Sequence, residues 1–489
     1  MSYKEKILHP FLIAIFPIIY LYSETINEVP PQQMVLPIIL MLIFSTVFVI
    51  IVRFIFKDWK KSALVVSLSL VLFILYSPVF AYLSGAFIGD FEIGRHRYLV
   101  IIFVIPFFTL AYLIYKTKIQ LGNVTLILNA VAISLILISS VNIGIYTFEK
   151  SFYENDKNIE IVENKTLTPD IYFILLDAYA GEKVLKKYYN FDNSNFINSL
   201  RDRGFFVHNE SYSNYANTIP SLGSTFNMEY FDVDDKYQRI YSMLPQSTTI
   251  KLLDLNGYKI IDFQKHSIAF DIPVVDSTLC KNENNRYTDT RLLDQLLKYT
   301  PLSTIIPIVP PEQDMETQLC LFAELPNTKN MFDEPTFVFA HSLVTHSPYY
   351  YGPNGEEVNP PSMDYEHYVY SIEFANKNMV KIIDELLDVE NHPIIIVLGD
   401  HGTVFLNDDI TYEEKIITSH QNLYAIYFPD QNYELVEKTS TAINIFRIIF
   451  NQFFNADYDL LEDKTFSSNT GEWYDLDDTT HITINNKMN

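Results

Sequence analysis

Three places in the chain bring together residues whose types could do phosphoryl-transfer chemistry. In Pro393 to Gly402, PIIIVLGDHG, an apolar run without polar alternation ends in a carboxylate and an imidazole, Asp400 and His401, flanked by Gly399 and Gly402. In DIYFILLDAYAG a second apolar run closes on Asp177, with Gly181 four residues on. In SNYANTIPSLGSTFN a hydroxyl, Thr218, precedes Pro220, Ser221 and a stretch suited to a helix. Taken singly, Asp177 and Thr218 read as helix caps. Taken jointly, they give two carboxylates, one imidazole and one hydroxyl at the ends of strands. That is a ligand set for a divalent cation, with the Thr218 oxygen as a nucleophile whose pKa the metal lowers. A helix N-terminus after Thr218 would also aim backbone N–H groups at an anion.

The elements that must position these residues follow from pattern. Ile394 to Leu398 are bulky and β-branched on both faces, which suits a buried central strand, and open α/β sheets place their sites at the carboxyl ends of such strands. From Pro169 onward, short apolar runs (DIYFILL, GFFVH, YKIIDF, TFVFAH, PIIIVLG, LYAIYF) are separated by amphipathic stretches. This predicts an α/β sandwich with a mainly parallel sheet. Tyr368, Ile372, Ala375, Met379, Ile382, Ile383 and Leu386 recur at helical spacing and predict a covering helix over Tyr365 to Val389, with nothing on it that asks for chemistry. His341 closes TFVFAH and either binds substrate or fills the strand end, and His420, before LYAIYF, is a weaker candidate. The segment from Asp271 to Asn330, with prolines at 301, 307, 310 and 311, reads as an insertion or a lid.

The first 148 residues are different in kind. Five uncharged stretches, Ile7 to Ser23, Val29 to Val52, Ser62 to Gly89, Tyr98 to Tyr115 and Ile119 to Phe148, are each near the length that crosses a bilayer. The first is short and holds Pro10 and Pro17, so an interfacial helix or an uncleaved signal anchor is its alternative. Lys4 and Lys6, then Arg53, Lys57, Lys60 and Lys61, then Lys116 and Lys118 alternate with loops bearing Glu24 and Glu28 or mixed charge. By the positive-inside rule the N-terminus is cytoplasmic, and an odd number of spans places everything after Glu149 outside. There Cys280 and Cys320, the chain's two cysteines, have the opportunity to pair. The expected organisation is a transmembrane domain over 1–148, a juxtamembrane linker or irregular domain edge over 149–168, a catalytic domain over 169–455 and a polar C-terminal segment over 456–489.

Composition sets limits. With 489 residues, 48% of them hydrophobic and 15% aromatic, the chain is long enough for two domains and rich enough for a membrane part. A formal net charge of −24 excludes the basic footprint of a nucleic-acid partner. Two cysteines supply neither a disulfide framework nor a cysteine zinc cluster.

On these residues the stretch from about Pro169 to Pro429 resembles the alkaline phosphatase superfamily, specifically its sulfatase-like branch and the lipoteichoic acid synthase and phosphoethanolamine transferase group. Thr218-Ile219-Pro220-Ser221-Leu222 matches the Cys/Ser-x-Pro-Ser-Arg signature, Asp400-His401-Gly402 the second metal motif, and Asp177 the acidic residue closing the first strand. SLVTHSPYY is similar to the family's His-x-Pro segment and carries its substrate-binding histidine onto His346. Five spans before an extracellular domain are also similar to lipoteichoic acid synthases. There are departures. Threonine at 218 does not form formylglycine, Leu222 stands where the signature has arginine, and Ala178 follows Asp177 where sulfatases have a second aspartate. No second ligand set of the Asp-x-x-x-His type appears.

The resemblance implies one divalent metal, manganese, zinc or magnesium ahead of calcium, held by Asp177, Thr218, Asp400 and His401, with His346 and His341 as substrate-binding candidates. It implies a multi-pass cell-envelope enzyme, a phosphotransferase or phosphodiesterase with a threonine nucleophile. Its partners would be membrane lipid, a phospholipid head-group donor, and a glycan, lipid or polymer acceptor. The alternatives are a sulfuric or phosphoric monoester hydrolase, and a non-catalytic membrane protein that keeps the fold.

Overall fold

The computed structural model describes residues 6–26, 31–83, 87–88, 91–92, 95–156, 169–231, 247–263, 275–280, 292–293, 296–297, 315–403, 410–468 and 476–487. The chain divides into two compact units, residues 1–155 with 284–311 and residues 156–283 with 312–489.

The first unit is built on five apolar helices: α1 (His9–Glu24), α2 (Val35–Phe56), α3 (Trp59–Leu83), α4 (His96–Lys116) and α5 (Gly122–Asp156). Among the described residues, four helical stretches, Pro31–Phe56, Trp59–Phe80, His96–Lys116 and Gly122–Ile145, are long and apolar enough to cross a membrane, and α1 is shorter. Inside the bundle Ala14, Val49, Val52, Val65, Val66, Leu70 and Ala111 pack together. Outward, Phe54, Ile101, Ile102, Phe108, Leu126 and Ile138 stand exposed, which is the surface of a protein solvated by lipid. The α5 helix runs through Asp156 and so takes in the first residues of the stretch read as a linker. Residues 157–168 of that stretch lie outside the described residues.

The second unit is built on a seven-stranded sheet. In chain order its strands are β1 (Ile171–Leu176), β2 (Phe206–Val207), β3 (Lys259–Phe263), β4 (Ser277–Leu279), β5 (Thr336–Ser342), β6 (Ile394–Leu398) and β7 (Tyr424–Tyr427). Across the sheet they lie in the order β2-β7-β6-β1-β5-β3-β4. The run β6, β1, β5, β3, β4 is parallel, and β7 and β2 add antiparallel pairings at the other side. Six of these strands fall in the six apolar runs of the sequence. The three-residue β4 is too short and too polar to stand out there.

Burial explains the lack of alternation. In β1, Tyr172, Ile174 and Leu176 face one apolar layer and Ile171, Phe173 and Leu175 the other, so every position is apolar. The first layer is closed by helix α9 and the helices near it, where α9 (Tyr365–Leu387) follows α6 (Glu182–Tyr189), α7 (Thr218–Asn227) and α8 (Met315–Glu324) in the chain. Asp364 caps α9 by accepting the His367 N–H, and the seven apolar residues at helical spacing are all buried. The second layer is closed by α7 and by α11 (Ile445–Phe454), which comes after α10 (Tyr412–His420).

Cys280, directly after β4, is disulfide-bonded to Cys320 in α8, with Cα atoms 5.7 Å apart. Between them most of the expected insertion lies outside the described residues. The polar C-terminal segment is folded where it is described, over residues 456–468 and 476–487. Phe466–Ser468 pairs with Leu476–Asp478, a helix spans Thr480–Lys487, and Thr465, Ser467, Thr479 and Thr483 are buried. Its polar residues satisfy one another and the backbone, as Thr465 does with Thr479 and Thr483, so polarity here does not mean exposure.

Candidate active site

The register of the sheet aligns the chemistry. Leu398 of β6 lies opposite Leu175 of β1, and Leu175 lies opposite His341 of β5, so Asp400 and Asp177, each two residues further on, leave the sheet side by side at the carboxyl ends of adjacent parallel strands, while His341 stands level with Leu175 on the third strand. Asp177 donates its N–H to the Ser342 carbonyl (2.9 Å), and its own carbonyl accepts from Thr345 Oγ1 (2.5 Å). Thr345 is a site residue that the sequence reading passed over, although it adjoins His346.

Each of three side chains has one polar atom fixed by the protein and one left over. Asp177 Oδ2 accepts from His341 Nε2 at 2.9 Å, while Oδ1 is buried without a hydrogen-bond partner. Asp400 Oδ1 accepts the Ala178 N–H at 3.0 Å, while Oδ2 is likewise buried and unpartnered. His401 Nδ1 donates to the Gly402 carbonyl at 2.7 Å, which leaves Nε2 3.6 Å from both Asp177 Oδ1 and Asp400 Oδ2. The three residues offer ligand atoms within 4.8 Å of one another, all on buried side chains. Buried polar atoms without partners are costly, and two carboxylate oxygens with one imidazole nitrogen suit manganese, zinc or magnesium. The residues fit a single divalent cation.

Electrostatics agrees. Burial by itself would raise the Asp177 carboxyl, but the hydrogen bond from His341 and the charges of His346, His341 and His401 hold it well below the usual carboxylate range. Asp400 is pushed up, first by burial and then by the charge of Asp177, against the charges of His401 and His341. His401 is burdened by burial yet raised overall by Asp400 and Asp177. Two buried carboxylates and a histidine thus press on one another, and a cation between them relieves the pressure.

Thr218 opens α7, with Asn217 before it, so the helix begins two residues earlier than Pro220. Thr218 Oγ1 is half-buried and lies 3.4 Å from Asp177 Oδ2. Ser221 Oγ stands 2.8 Å from the Asp400 carbonyl and ties the start of α7 to the exit of β6. Leu222 is 1% exposed and packs into the apolar layer beneath the sheet with Phe173 and Phe226.

The glycines of Gly-Asp-His-Gly serve close approach. A Cβ at Gly399 would stand 2.5 Å from the Tyr179 carbonyl oxygen, and one at Gly402 2.1 Å from that of Thr418. Neither has a positive φ, so close approach and not unusual backbone freedom is what these positions require.

The histidines separate. His346, half-buried on the loop after β5, acts on Asp177 through its charge. His341, 2% exposed, fills the strand end and commits Nε2 to Asp177. His420 stands apart, its Nδ1 2.9 Å from the Ile416 carbonyl and its Nε2 3.1 Å from that of Phe466.

The sulfatase family model matches residues 169–453, and the chain belongs to that family within the alkaline phosphatase superfamily. No curated protein sequence matches the chain. Among solved structures, the lipooligosaccharide phosphoethanolamine transferase A of Neisseria meningitidis is similar over 91% of this chain and 95% of its own, at 12% identity and a TM-score of 0.43. The C-terminal periplasmic domain of EcEptC from Escherichia coli in complex with Zn aligns over 65% of this chain and 93% of its own, at 13% identity and a TM-score of 0.44. The lipoteichoic acid synthase LtaP from Listeria monocytogenes aligns over 63% and 79%, at 13% identity and a TM-score of 0.39.

Proposed function

We propose that the protein is a membrane-anchored, metal-dependent phosphotransferase or phosphodiesterase, with Thr218 as its nucleophile and its sulfatase-family domain on the extracytoplasmic side. The observation that carries the reading is the position of Thr218 Oγ1, 3.4 Å from Asp177 Oδ2 on the first turn of a helix, beside a buried cluster of Asp177, Asp400 and His401. These three side chains, with Thr218, would hold the cation. When bound it supplies positive charge that acidifies the Thr218 hydroxyl and offsets the charge of a phosphate.

In the first half-reaction the Thr218 oxygen bonds to the phosphorus of a phospholipid head group and its hydroxyl proton leaves to solvent. The bond from phosphorus to the glyceride oxygen breaks, and that oxygen takes a proton, for which His346 is the candidate donor. In the second half-reaction the oxygen of a hydroxyl on a glycan, lipid or polymer, or of water, bonds to the phosphorus and loses its proton to solvent or to His346, the bond from phosphorus to the Thr218 oxygen breaks, and that oxygen recovers a proton. The first N–H groups of α7 stabilise the phosphate throughout. The helices of the first unit favour a lipid donor, because a bilayer holds it at high local concentration. Sulfate ester hydrolysis is disfavoured by Thr218 itself and by Leu222, which is packed in the core where the sulfatase signature has an arginine.

The test is the intact mass of the full chain in lipid nanodiscs with manganese and either phosphatidylglycerol or phosphatidylethanolamine, for wild type and Thr218→Ala. A head-group phosphoryl adduct on the wild type alone is expected and names the donor. An adduct that survives Thr218→Ala, or hydrolysis of a sulfate monoester with no adduct, refutes the reading.

A further inference from the structure

The turn that carries Asp177 out of β1 has an unusual backbone. Ala178, with a Cβ, sits at φ +57°, a left-handed conformation that non-glycine residues adopt only when their surroundings impose it. Its N–H is also the donor that fixes Asp400 Oδ1 and thereby leaves Oδ2 to face His401. The geometry of Asp400 therefore depends on a turn that does not favour its own conformation.

What imposes it comes from α9. The Tyr368 hydroxyl donates to the Ala178 carbonyl at 2.8 Å and accepts the Ala180 N–H at 3.0 Å, bridging the two ends of the turn. The Tyr368 side chain is 1% exposed, and its ring is packed against Tyr189 (centroids 4.7 Å) and Tyr349 (5.6 Å), so the hydroxyl is held by a rigid neighbourhood. Burial raises its pKa well above the ordinary value, which keeps the proton that it donates.

We infer that Tyr368 is a positioning residue for the metal site: by clamping the Ala178 turn it presents the Ala178 N–H to Asp400 and sets the Asp400 oxygen that binds the cation. The inference rests on the metal reading of Asp177, Asp400 and His401. A partner outside the coordination sphere that orients a ligand typically changes metal affinity by about 10- to 100-fold when lost.

The experiment uses the full chain in detergent micelles and measures manganese affinity by competition with a chelator, together with the melting temperature of the metal-free protein. Tyr368→Phe, which keeps the ring and removes the hydroxyl, is expected to weaken manganese binding by about 10-fold or more. Glycine adopts positive φ without penalty, so in an Ala178→Gly background the same change is expected to cost several-fold less. A Tyr368→Phe protein that binds manganese within twofold of wild type overturns the inference, whether or not its metal-free melting temperature falls. So does an equal loss in both backgrounds. Asp400→Asn distinguishes the failures: wild type that binds no manganese, or Asp400→Asn that binds it equally well, removes the metal reading itself and the inference with it.

Discussion

His420 makes stability depend on pH in a way that can be worked from its surroundings. The ring is fully buried between α10 and the C-terminal strand pair, and burial outweighs its two carbonyl contacts to push its pKa down from 6.5 to about 4. The Ser419 hydroxyl faces Nδ1 at 3.2 Å and the Ser467 hydroxyl faces Nε2 at 3.3 Å, so whichever ring nitrogen lacks a proton has one hydroxyl beside it and the neutral ring is well satisfied. A histidine with a depressed folded pKa contributes stability that is complete above the unfolded value of 6.5. That stability is lost as the pH falls toward 4, because the unfolded chain binds the proton first. At 1.36 kcal/mol per pH unit, the difference between 6.5 and about 4 amounts to about 3 kcal/mol. For a unit of this size that corresponds to a fall of roughly 6 °C in melting temperature. The measurement is thermal unfolding of the full chain in detergent at pH 7.5 to 4, for wild type and His420→Gln. Other titrating groups cancel in the difference between the two proteins. The Gln variant should be less stable at pH 7.5, and its deficit should shrink as the pH falls through the window. A deficit that is constant across the series refutes the reasoning.

Leu222→Arg, which restores the arginine of the sulfatase signature, should abolish folding rather than create sulfatase activity, because the side chain at 222 is in the core and an unpaired guanidinium there costs several kcal/mol. Soluble, monodisperse L222R protein would contradict the placement. Replacing Cys280 and Cys320 by serine together should lower stability by about 4 kcal/mol, from the chain entropy released by opening a crosslink between residues 40 apart. Denaturant unfolding with and without reductant measures it, and equal midpoints would show that the crosslink contributes nothing.

Much of this was legible in the sequence because it follows from period and composition. Strands buried on both faces read as unbroken apolar runs, and the seven-residue stripe of α9 reads as a helix, since burial selects apolar side chains residue by residue. Bilayer-crossing helices are legible for the same reason, through length alone. The burial of threonines and serines in the polar C-terminal segment is not legible, because they are satisfied by one another and composition does not distinguish a buried hydroxyl with a partner from an exposed one. The helix α9 read as having no bearing on chemistry. For six residues of its stripe that holds; the seventh, Tyr368, has its ring in the core while its hydroxyl reaches the turn after Asp177.

By itself, then, the sequence determined the residue types of the candidate site and the strands that carry them: Asp177 and Asp400 at the ends of apolar runs, His401 beside Asp400, and Thr218 before Pro220. Only the tertiary structure decided which atom of each is left for a ligand. Ala178 and Asp400 are 222 residues apart, and the bond between them exists because β1 and β6 are parallel neighbours in one register. His341 likewise acquires its partner from the pairing of β5 with β1. Local pattern fixes what a segment becomes, because propensity and burial act over a few residues. Which lone pair is taken and which is left depends on contacts between distant segments, and no local pattern records them.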